Sequence, residues 1–150
     1  MFRGKHEHAI DGKGRTSLPS RFREILAGEG DVRLMLTTGF ENCIVCYPMR
    51  AWADFEAKLL GMSEFEPEAA DMRLFYLASA EEVDVDSVGR MLVPQMLRKH
   101  AGLDRQAIWV GMGKNLQLWD KDRWEAKLNG ALLDPERVAA ARRRAAGAGL

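Results

Sequence analysis

Apolar and polar positions along the chain alternate in short runs, and these runs follow the same order twice. Each half begins with a short strand that leads into a turn rich in aspartate and glycine, and a second short strand and a proline follow. A short helix begins at that proline, because the fixed φ of proline suits the first helical position. Each half then continues with a β-hairpin around a glycine-containing turn. The predicted strands are 5–10, 16–18, 32–37 and 43–47 in the first half and 82–85, 91–93, 107–111 and 116–119 in the second.

The helices predicted within the two halves are each followed by glycine, the usual residue just past a helix C-terminus. A short helix begins after each proline, and each half closes with a helix that carries a tryptophan. The short helices are 19–27, which ends at Gly28, and 94–101, which ends at Gly102, whereas Gly61 and Gly130 end the tryptophan helices. The side chains on one face are Trp52, Phe55, Leu59 and Leu60 in the first tryptophan helix and Trp124 and Leu128 in the second.

The two halves share a phrase of thirteen residues, which reads DGKGRTSLPSRFR from Asp11 and DSVGRMLVPQMLR from Asp86. Five positions of this phrase are identical, and the chain is therefore interpreted as a tandem duplication. A repeat of about 70 residues is marginal as a separate domain, so we expect the halves to share one core in an α+β fold. The identical pairs are Asp11 and Asp86, Gly14 and Gly89, Arg15 and Arg90, Pro19 and Pro94, and Arg23 and Arg98.

The segment between the halves, residues 63–80, has no counterpart in the repeat. Pro67 marks a helix start, and apolar residues recur after it at helical spacing, which predicts an amphipathic linker helix. One role for this helix is to cover the core. The other is to contact another subunit, since Leu74 and Leu77 leave apolar surface outside the main stripe. The stripe consists of Met72, Phe75, Tyr76 and Ser79.

The chain after Asp134 is rich in alanine and arginine. This composition predicts an alanine-rich helix that frays into a tail of small residues, with disorder as the default expectation. The arginine cluster 142–144 is too short to indicate a binding arm.

The bulk composition limits the class of protein. The chain has 150 residues and is 47% hydrophobic, which suffices for one core or for two small cores that pack together. Lys and Arg (22) balance Asp and Glu (22), so the net charge neither favours nor excludes nucleic acid. No run reaches the roughly 18 apolar residues of a membrane span, and the N-terminal MFRGKHEH lacks the apolar core of a signal peptide. We therefore expect a cytoplasmic protein with no membrane partner.

Two cysteines and two histidines are the candidates for a metal or redox site. Cys43 and Cys46 form a C-x-x-C pattern, but they lie in a predicted strand, where residues three apart point to opposite faces. His6 and His8 share a strand face, yet no carboxylate or cysteine pattern completes a metal site around them. The favoured interpretation is structural cysteines and histidines that face the surface or a phosphate, and a small metal-binding protein stays as an alternative.

The sequence also lacks the motifs that would indicate an enzyme. It has no nucleophile elbow, no Walker-type phosphate loop and no H-E-x-x-H signature. We therefore expect no catalytic residue, no cofactor and no small-molecule substrate.

Local charge distinguishes the two copies of the repeat. Residues 3–23 carry six bases against two acids, a net charge of +4, whereas residues 81–100 carry three bases against four acids, a net charge of −1. Basic side chains on a turn can contact DNA phosphates, and an arginine or lysine can pair with guanine in the major groove. The first copy is therefore predicted to bind DNA. The predicted DNA-binding residues are Arg3, Lys5, Lys13, Gly14, Arg15, Arg21 and Arg23.

A structural role competes with DNA binding at Arg15, because this side chain could instead pair with Asp11 across the turn. The repetition of the pair as Asp86 and Arg90 in the acidic copy supports the structural role, and both roles are compatible in the first copy. Asp11, Asp86, Gly89 and Arg90 are therefore predicted to shape the turns.

Four segments together resemble the MraZ family within the SpoVT-AbrB group. They are MFRG, DGKGRTSLP, DSVGRMLVPQMLRKHAGL and LWDKDRW, and the resemblance extends from residue 1 to about residue 128. The family's D-x-x-x-R motif matches Asp11 with Arg15 and Asp86 with Arg90. Lys13 also matches.

The resemblance implies both a fold and a function. The implied fold is a swapped-hairpin β-barrel of the AbrB kind, formed by two pseudo-symmetric halves of one chain. The implied function is that of a nucleoid-associated bacterial regulator, usually a repressor of its own operon in the division and cell-wall gene cluster. Such regulators bind direct repeats in promoter DNA as ring-shaped homo-oligomers.

On this interpretation the chain divides into four parts. Residues 5–52 form the DNA-binding repeat, 53–78 a helical linker, 79–124 the second repeat, and 125–150 a C-terminal helix and tail. The acidic balance of the second repeat favours a structural or subunit-facing role for Arg90. An antitoxin-type protein-interaction module is the other alternative, but it would need a longer and more apolar C-terminal segment.

Overall fold

The structure is a computed structural model that describes residues 1–150, in two compact units, Met1–Asp120 and Lys121–Leu150. The first unit contains both copies of the thirteen-residue phrase and all the strands. Its strands are β1 (Lys5–Ala9), β2 (Arg15–Ser17), β3 (Arg33–Thr37), β4 (Ile44–Pro48), β5 (Glu81–Asp84), β6 (Arg90–Leu92), β7 (Gln106–Gly111) and β8 (Leu116–Asp120). Its helices are α1 (Ser20–Glu29), α2 (Met49–Leu60), α3 (Pro67–Leu77) and α4 (Gln95–Ala101), and the second unit consists of α5 (Lys121–Leu132) and α6 (Pro135–Gly147).

All eight predicted strands are present, but two of the predicted helix ends are wrong. Helix α1 continues past Gly28 and ends before Gly30, which has a φ of 80° and donates its N–H to the carbonyl of Ala27. Helix α5 passes through Gly130 and ends at Leu132. Glycine inside a helix costs only about 1 kcal/mol, so a glycine that can end a helix need not do so.

The main sheet exchanges strands between the two copies. Its order is β1-β7-β8-β4-β3-β5, and its neighbours pair antiparallel. Strand β1 of the first copy therefore pairs with β7 of the second, and β5 of the second copy pairs with β3 of the first. A separate two-stranded ribbon joins β2 to β6. This exchange confirms the swapped-hairpin α+β fold.

Both copies contribute to one hydrophobic core, as expected for repeats too small to be stable alone. Phe22 and Leu26 of α1 pack there together with Leu97 of α4. Trp109 on β7 is fully buried, and its indole N–H donates to the carbonyl of Ser17 at 3.1 Å. This bond links the second hairpin to the ribbon, so neither copy completes the core without the other.

The linker helix α3 begins at Pro67, as predicted, and its predicted stripe is only partly covered. Tyr76 packs edge-on against Phe55 of α2, with ring centroids 4.8 Å apart, and its carbonyl accepts a bond of 2.5 Å from Thr37 Oγ1. Phe75 of this stripe is 42% exposed, however, and Leu60, which was predicted to share a face of α2 with Trp52, is 56% exposed. Apolar residues lie on several sides of these helices, and spacing alone does not identify the face that is buried.

The C-terminal unit is helical as far as Gly147, where disorder was the default expectation. Helix α6 has Pro135 in its first turn, and Asp134 is its N-cap. The Asp134 carboxylate accepts the backbone N–H groups of Glu136 at 3.0 Å and Arg137 at 3.4 Å. Such a cap satisfies donors that a helix leaves open at its start. None of the six helices has the length and apolar character needed to cross a lipid bilayer.

Candidate nucleic-acid interface

The first turn, residues 11–15, is closed by the side chain of its aspartate. Asp11 Oδ1 accepts the backbone N–H groups of Lys13 and Arg15, both at 2.9 Å. The backbone carbonyl of Asp11 also accepts the N–H of Gly14 at 3.0 Å, and the Asp11 N–H donates to the carbonyl of Arg15 at 2.9 Å. Gly14 has a φ of 88°, a conformation that glycine adopts without strain. The predicted Asp-and-Gly turn is thus confirmed.

Asp11 also orients the side chain of Arg15. The Nε–H of Arg15 donates to Asp11 Oδ2 at 2.8 Å, and the arginine side chain is 55% exposed. This contact uses one edge of the guanidinium and leaves its two terminal nitrogens without a hydrogen-bond partner in the chain. The backbone N–H of Arg15, followed by its side chain, lowers the pKa of the Asp11 carboxyl. Arg15 therefore shapes the turn and still presents donors at the surface.

The second turn, residues 86–90, repeats this geometry. Asp86 Oδ1 accepts the N–H groups of Val88 at 3.0 Å and Arg90 at 2.9 Å, and Gly89 has a φ of 84°. Arg90 Nε donates to Asp86 Oδ2 at a longer distance of 3.3 Å. The backbone N–H of Arg90 makes the largest contribution to a lowered pKa of the Asp86 carboxyl. Asp11, Asp86, Gly89 and Arg90 thus occupy the turn positions for which the sequence predicted them.

The register of the ribbon brings the two motif arginines to the same surface. Arg15 lies opposite Leu92, and Ser17 lies opposite Arg90. These four residues share the outward face, while Thr16 and Met91 between them are buried. Arg15 and Arg90 are diagonal neighbours, for which the usual Cα separation is about 7 to 8 Å.

A shallow groove of about 310 Å³ includes both of these arginines in its lining, together with Asp11 and Ser17. The sequence predicts a structural or subunit-facing role for Arg90 and does not place it beside Arg15. Arg15 and Arg90 are brought together by the pairing of β2 with β6, two segments that lie 75 residues apart in the sequence.

Each turn is supported by an arginine from the other copy. Gly14 is buried, and a Cβ there would collide with the guanidinium of Arg98. Gly89 is likewise buried, and a Cβ there would lie 2.6 Å from Arg23 Nη1. Arg23 was predicted to bind DNA, yet the structure places its side chain against Gly89 of the second turn. The sequence signal for this arrangement was the identity of Arg23 and Arg98 within the repeat.

The remaining predicted DNA-binding residues are exposed but dispersed. Lys5 opposes Val110 near the start of β1, so six residues of extended chain, or about 20 Å, separate it from Asp11. Arg3 precedes Lys5 and lies towards the same end of β1. Arg21, on α1, forms an exposed ion pair of 3.4 Å with Glu24. Only Lys13, Gly14 and Arg15 of the predicted set lie together in the first turn.

The histidines face inward, contrary to the predicted surface orientation. His6 packs edge-on against Phe22 with ring centroids 5.1 Å apart, and both His6 and His8 are half-buried. His8 Nδ1 lies 2.7 Å from the carbonyl of Ser17. These contacts give both rings structural partners, Phe22 of α1 for His6 and Ser17 of the ribbon for His8.

Both cysteines are buried, Cys43 directly before β4 and Cys46 within it, and no disulfide joins them. Burial raises the pKa of the Cys46 thiol, which disfavours the thiolate that binds metals. The structure contains no group of three or more His, Cys, Asp and Glu residues arranged to hold a metal ion.

Comparison with known proteins identifies the repeat. A family model described as "MraZ protein, putative antitoxin-like" matches residues 1–75 and again residues 76–144. The two matches divide the chain between the two copies of the shared phrase.

Relatives of similar length carry the same family name. The transcriptional regulator MraZ of Acetivibrio thermocellus is 37% identical over 139 residues, which cover 93% of this chain and 94% of the relative. The regulators of the same name from Thermomicrobium roseum and Thiobacillus denitrificans are 40% identical over 127 residues and 38% identical over 132 residues. These alignments cover 85% and 88% of this chain and 87% and 89% of the relatives. The chain therefore belongs to the MraZ family, and its class is that of a transcriptional regulator, not of an enzyme.

Proposed function

We propose that this regulator binds double-stranded DNA through its first turn, with Arg15 as the residue that contacts base edges. The observation that carries the proposal is the geometry of Arg15. Asp11 fixes the guanidinium through Nε, and the two terminal nitrogens stay available on an exposed face. A guanidinium held in this way can donate two parallel bonds to O6 and N7 of a guanine.

Lys13 supplies the phosphate contact in this proposal. It is exposed at the tip of the first turn, two residues from Arg15. Phosphate contacts set the position and orientation of a protein on the duplex, whereas base contacts give sequence preference. Gly14 is buried and acts by shaping the turn that presents Lys13 and Arg15, and Arg3, Lys5 and Arg21 are exposed bases that reach phosphates farther from the first turn.

The biological role that we propose is autoregulation. The regulator binds direct repeats in the promoter of its own operon, the division and cell-wall gene cluster, and represses it from within the nucleoid. A homo-oligomeric ring suits this role. Turns that each bind DNA weakly gain avidity together when the DNA repeats are spaced to match the subunits. The family membership and the names of the relatives support a regulator of transcription.

An antitoxin-type interaction module is less well supported. That role would require an unstructured, apolar C-terminal segment able to wrap around a partner. In its place the chain has α6, a capped helix rich in alanine and arginine.

The variant Arg15→Ala tests the proposal, with Arg90→Ala as the matched control. We expect Arg15→Ala to weaken binding to the upstream DNA of the protein's own gene roughly five- to 150-fold, the effect of losing a bidentate contact of about 1 to 3 kcal/mol. We expect a smaller loss for Arg90→Ala, because the surroundings of the second turn are acidic. Mobility-shift titration measures the affinity, and native mass spectrometry confirms that the oligomer is unchanged. Wild-type affinity in an intact Arg15→Ala oligomer would refute DNA binding through the first turn.

A further inference from the structure

We propose that Arg98, from the second copy, is a positioning residue that holds the first turn in its DNA-binding conformation without contacting the DNA. This inference rests on the proposed function and adds to it a residue that lies outside the first turn. Arg98 acts through Gly14, the neighbour of Arg15 in the chain.

The contacts of Arg98 form a continuous path from α4 to the first turn. Its Nε–H donates to the carbonyl of Val93 at 3.0 Å. The N–H of Val93 in turn donates to the carbonyl of Gly14 at 2.9 Å. The guanidinium of Arg98 occupies the space that a Cβ at Gly14 would take, and its side chain is half-buried. Arg98 therefore contacts Gly14 directly and through the backbone of Val93.

Gly14 needs such support because glycine is the least restrained residue of the first turn. Asp11 fixes the N–H groups of Lys13 and Arg15, but no side chain of Gly14 limits its own φ and ψ. A rotation at Gly14 would change the direction in which Arg15 leaves the backbone. Packing of a planar guanidinium against the glycine opposes that rotation. Lysine could not replace it, since lysine lacks both the planar group and the Nε donor.

The pseudo-symmetry of the chain supplies a matched control. Arg23 packs against Gly89 as Arg98 packs against Gly14. The carbonyl of Gly89 accepts the N–H of Leu18 at 2.7 Å, just as the carbonyl of Gly14 accepts that of Val93. Arg23 therefore supports the second turn. Removing either arginine leaves one glycine uncovered, and removing Arg98 also breaks its bond to the Val93 carbonyl, so Arg98→Ala should cost somewhat more stability than Arg23→Ala. Only the loss of Arg98 loosens the turn that carries Lys13 and Arg15.

The experiment compares Arg98→Ala, Arg98→Lys and Arg23→Ala with wild type and with Arg15→Ala, all as full-length chains. Affinities for the upstream DNA and for an unrelated duplex are titrated over a series of salt concentrations, and urea unfolding measures stability. We expect both Arg98 variants to lose specific affinity roughly tenfold, within the range for a disturbed arginine–guanine pair, with little change on unrelated DNA. The slope of log affinity against log salt should stay at the wild-type value. Arg23→Ala should keep the wild-type ratio of specific to non-specific affinity.

The salt slope separates positioning from direct contact. If Arg98 bound a phosphate, Arg98→Ala would weaken binding to both duplexes alike and reduce the slope by about 1, and the inference would be wrong. Arg98→Lys keeps the charge and provides a folded variant should Arg98→Ala be too unstable to purify. Wild-type specificity in Arg98→Lys, or an equal loss in Arg23→Ala, would also overturn the inference. Were Arg15→Ala to bind normally as well, the proposed function itself would fail.

Discussion

The two turns have nearly the same backbone but different surroundings. In each, an aspartate accepts two backbone N–H groups and an arginine Nε–H, and a glycine adopts a φ between 84° and 88°. The exposed tip position is Lys13 in the first turn and Val88 in the second. The preceding strand reads KHEHA in the first copy and EEVD in the second. Residues that set shape were thus kept after duplication, while residues that set surface charge diverged.

The two turns also depend on each other. Arg98 of the second copy covers Gly14, and Arg23 of the first copy covers Gly89. A substitution in one copy can therefore act on the turn of the other. Differences between the turns are best measured with paired variants at equivalent positions.

The largest effect is expected from alanine at the two turn glycines. Gly14→Ala and Gly89→Ala each place a Cβ at positive φ and against an arginine side chain. A non-glycine residue held in that region costs about 1 to 3 kcal/mol, so both variants should lose that much unfolding free energy in urea titrations. Gly14→Ala should in addition lose specific DNA binding.

The paired result tests whether the turns differ in function. If Gly89→Ala weakens specific binding as much as Gly14→Ala, both turns contact DNA, and the difference in charge does not determine which turn binds. If neither variant loses stability, the backbone of the turns is less constrained than its φ values indicate.

The local structure of the turns was predictable from the sequence because short-range chemistry determines it. Aspartate followed three residues later by glycine and then by arginine specifies an Asx turn with an oriented guanidinium, and the structure has it twice. Pro19 and Pro94 mark the starts of α1 and α4 as predicted, but each is the N-cap, one residue before the first helical position.

Contacts between distant segments could not be predicted from the residues alone. The exchange of β1 and β5 followed only from the family resemblance. The position of Arg90 beside Arg15 depends on the register of β2 with β6, which no local signal determines. Arg23 was assigned to DNA on charge, but an arginine can also fill a space that glycine leaves open, and only the tertiary structure shows which role it has.

Exchange of the tip residues should have a smaller effect. Lys13→Val should weaken binding to specific and unrelated DNA alike, by about fivefold, and reduce the salt slope by about 1, as expected for one lost phosphate contact. Val88→Lys should strengthen binding to any duplex slightly, without sequence preference. Titrations at several salt concentrations measure both quantities. Recovery of specific binding in the double variant Lys13→Val with Val88→Lys would mean that the turns are interchangeable.

The smallest effect should be the pH dependence of stability, and here the two turns should behave alike. The pKa values of Asp11 and Asp86 are lowered in the folded protein, chiefly by the backbone N–H groups of Arg15 and Arg90. The charged carboxylates therefore stabilise the fold above the unfolded pKa of about 3.9, and this contribution is lost as the pH falls through the lower folded values. In urea titrations the contribution of these two carboxylates to the free energy of unfolding should be constant between about pH 7 and 5 and should decline below about pH 4.

Asp11→Asn and Asp86→Asn should each flatten that decline by a similar amount. Part of the decline should persist in both variants, since Arg33 lowers the pKa of Asp31 to about 2 outside the turns. Because each carboxylate is stabilised mainly by backbone N–H groups, the exchange of Lys13 for Val88 should hardly alter the pH dependence. If the decline in unfolding free energy below about pH 4 changes in only one of the two variants, the difference in charge between the copies affects the stability of the turns as well as their surfaces.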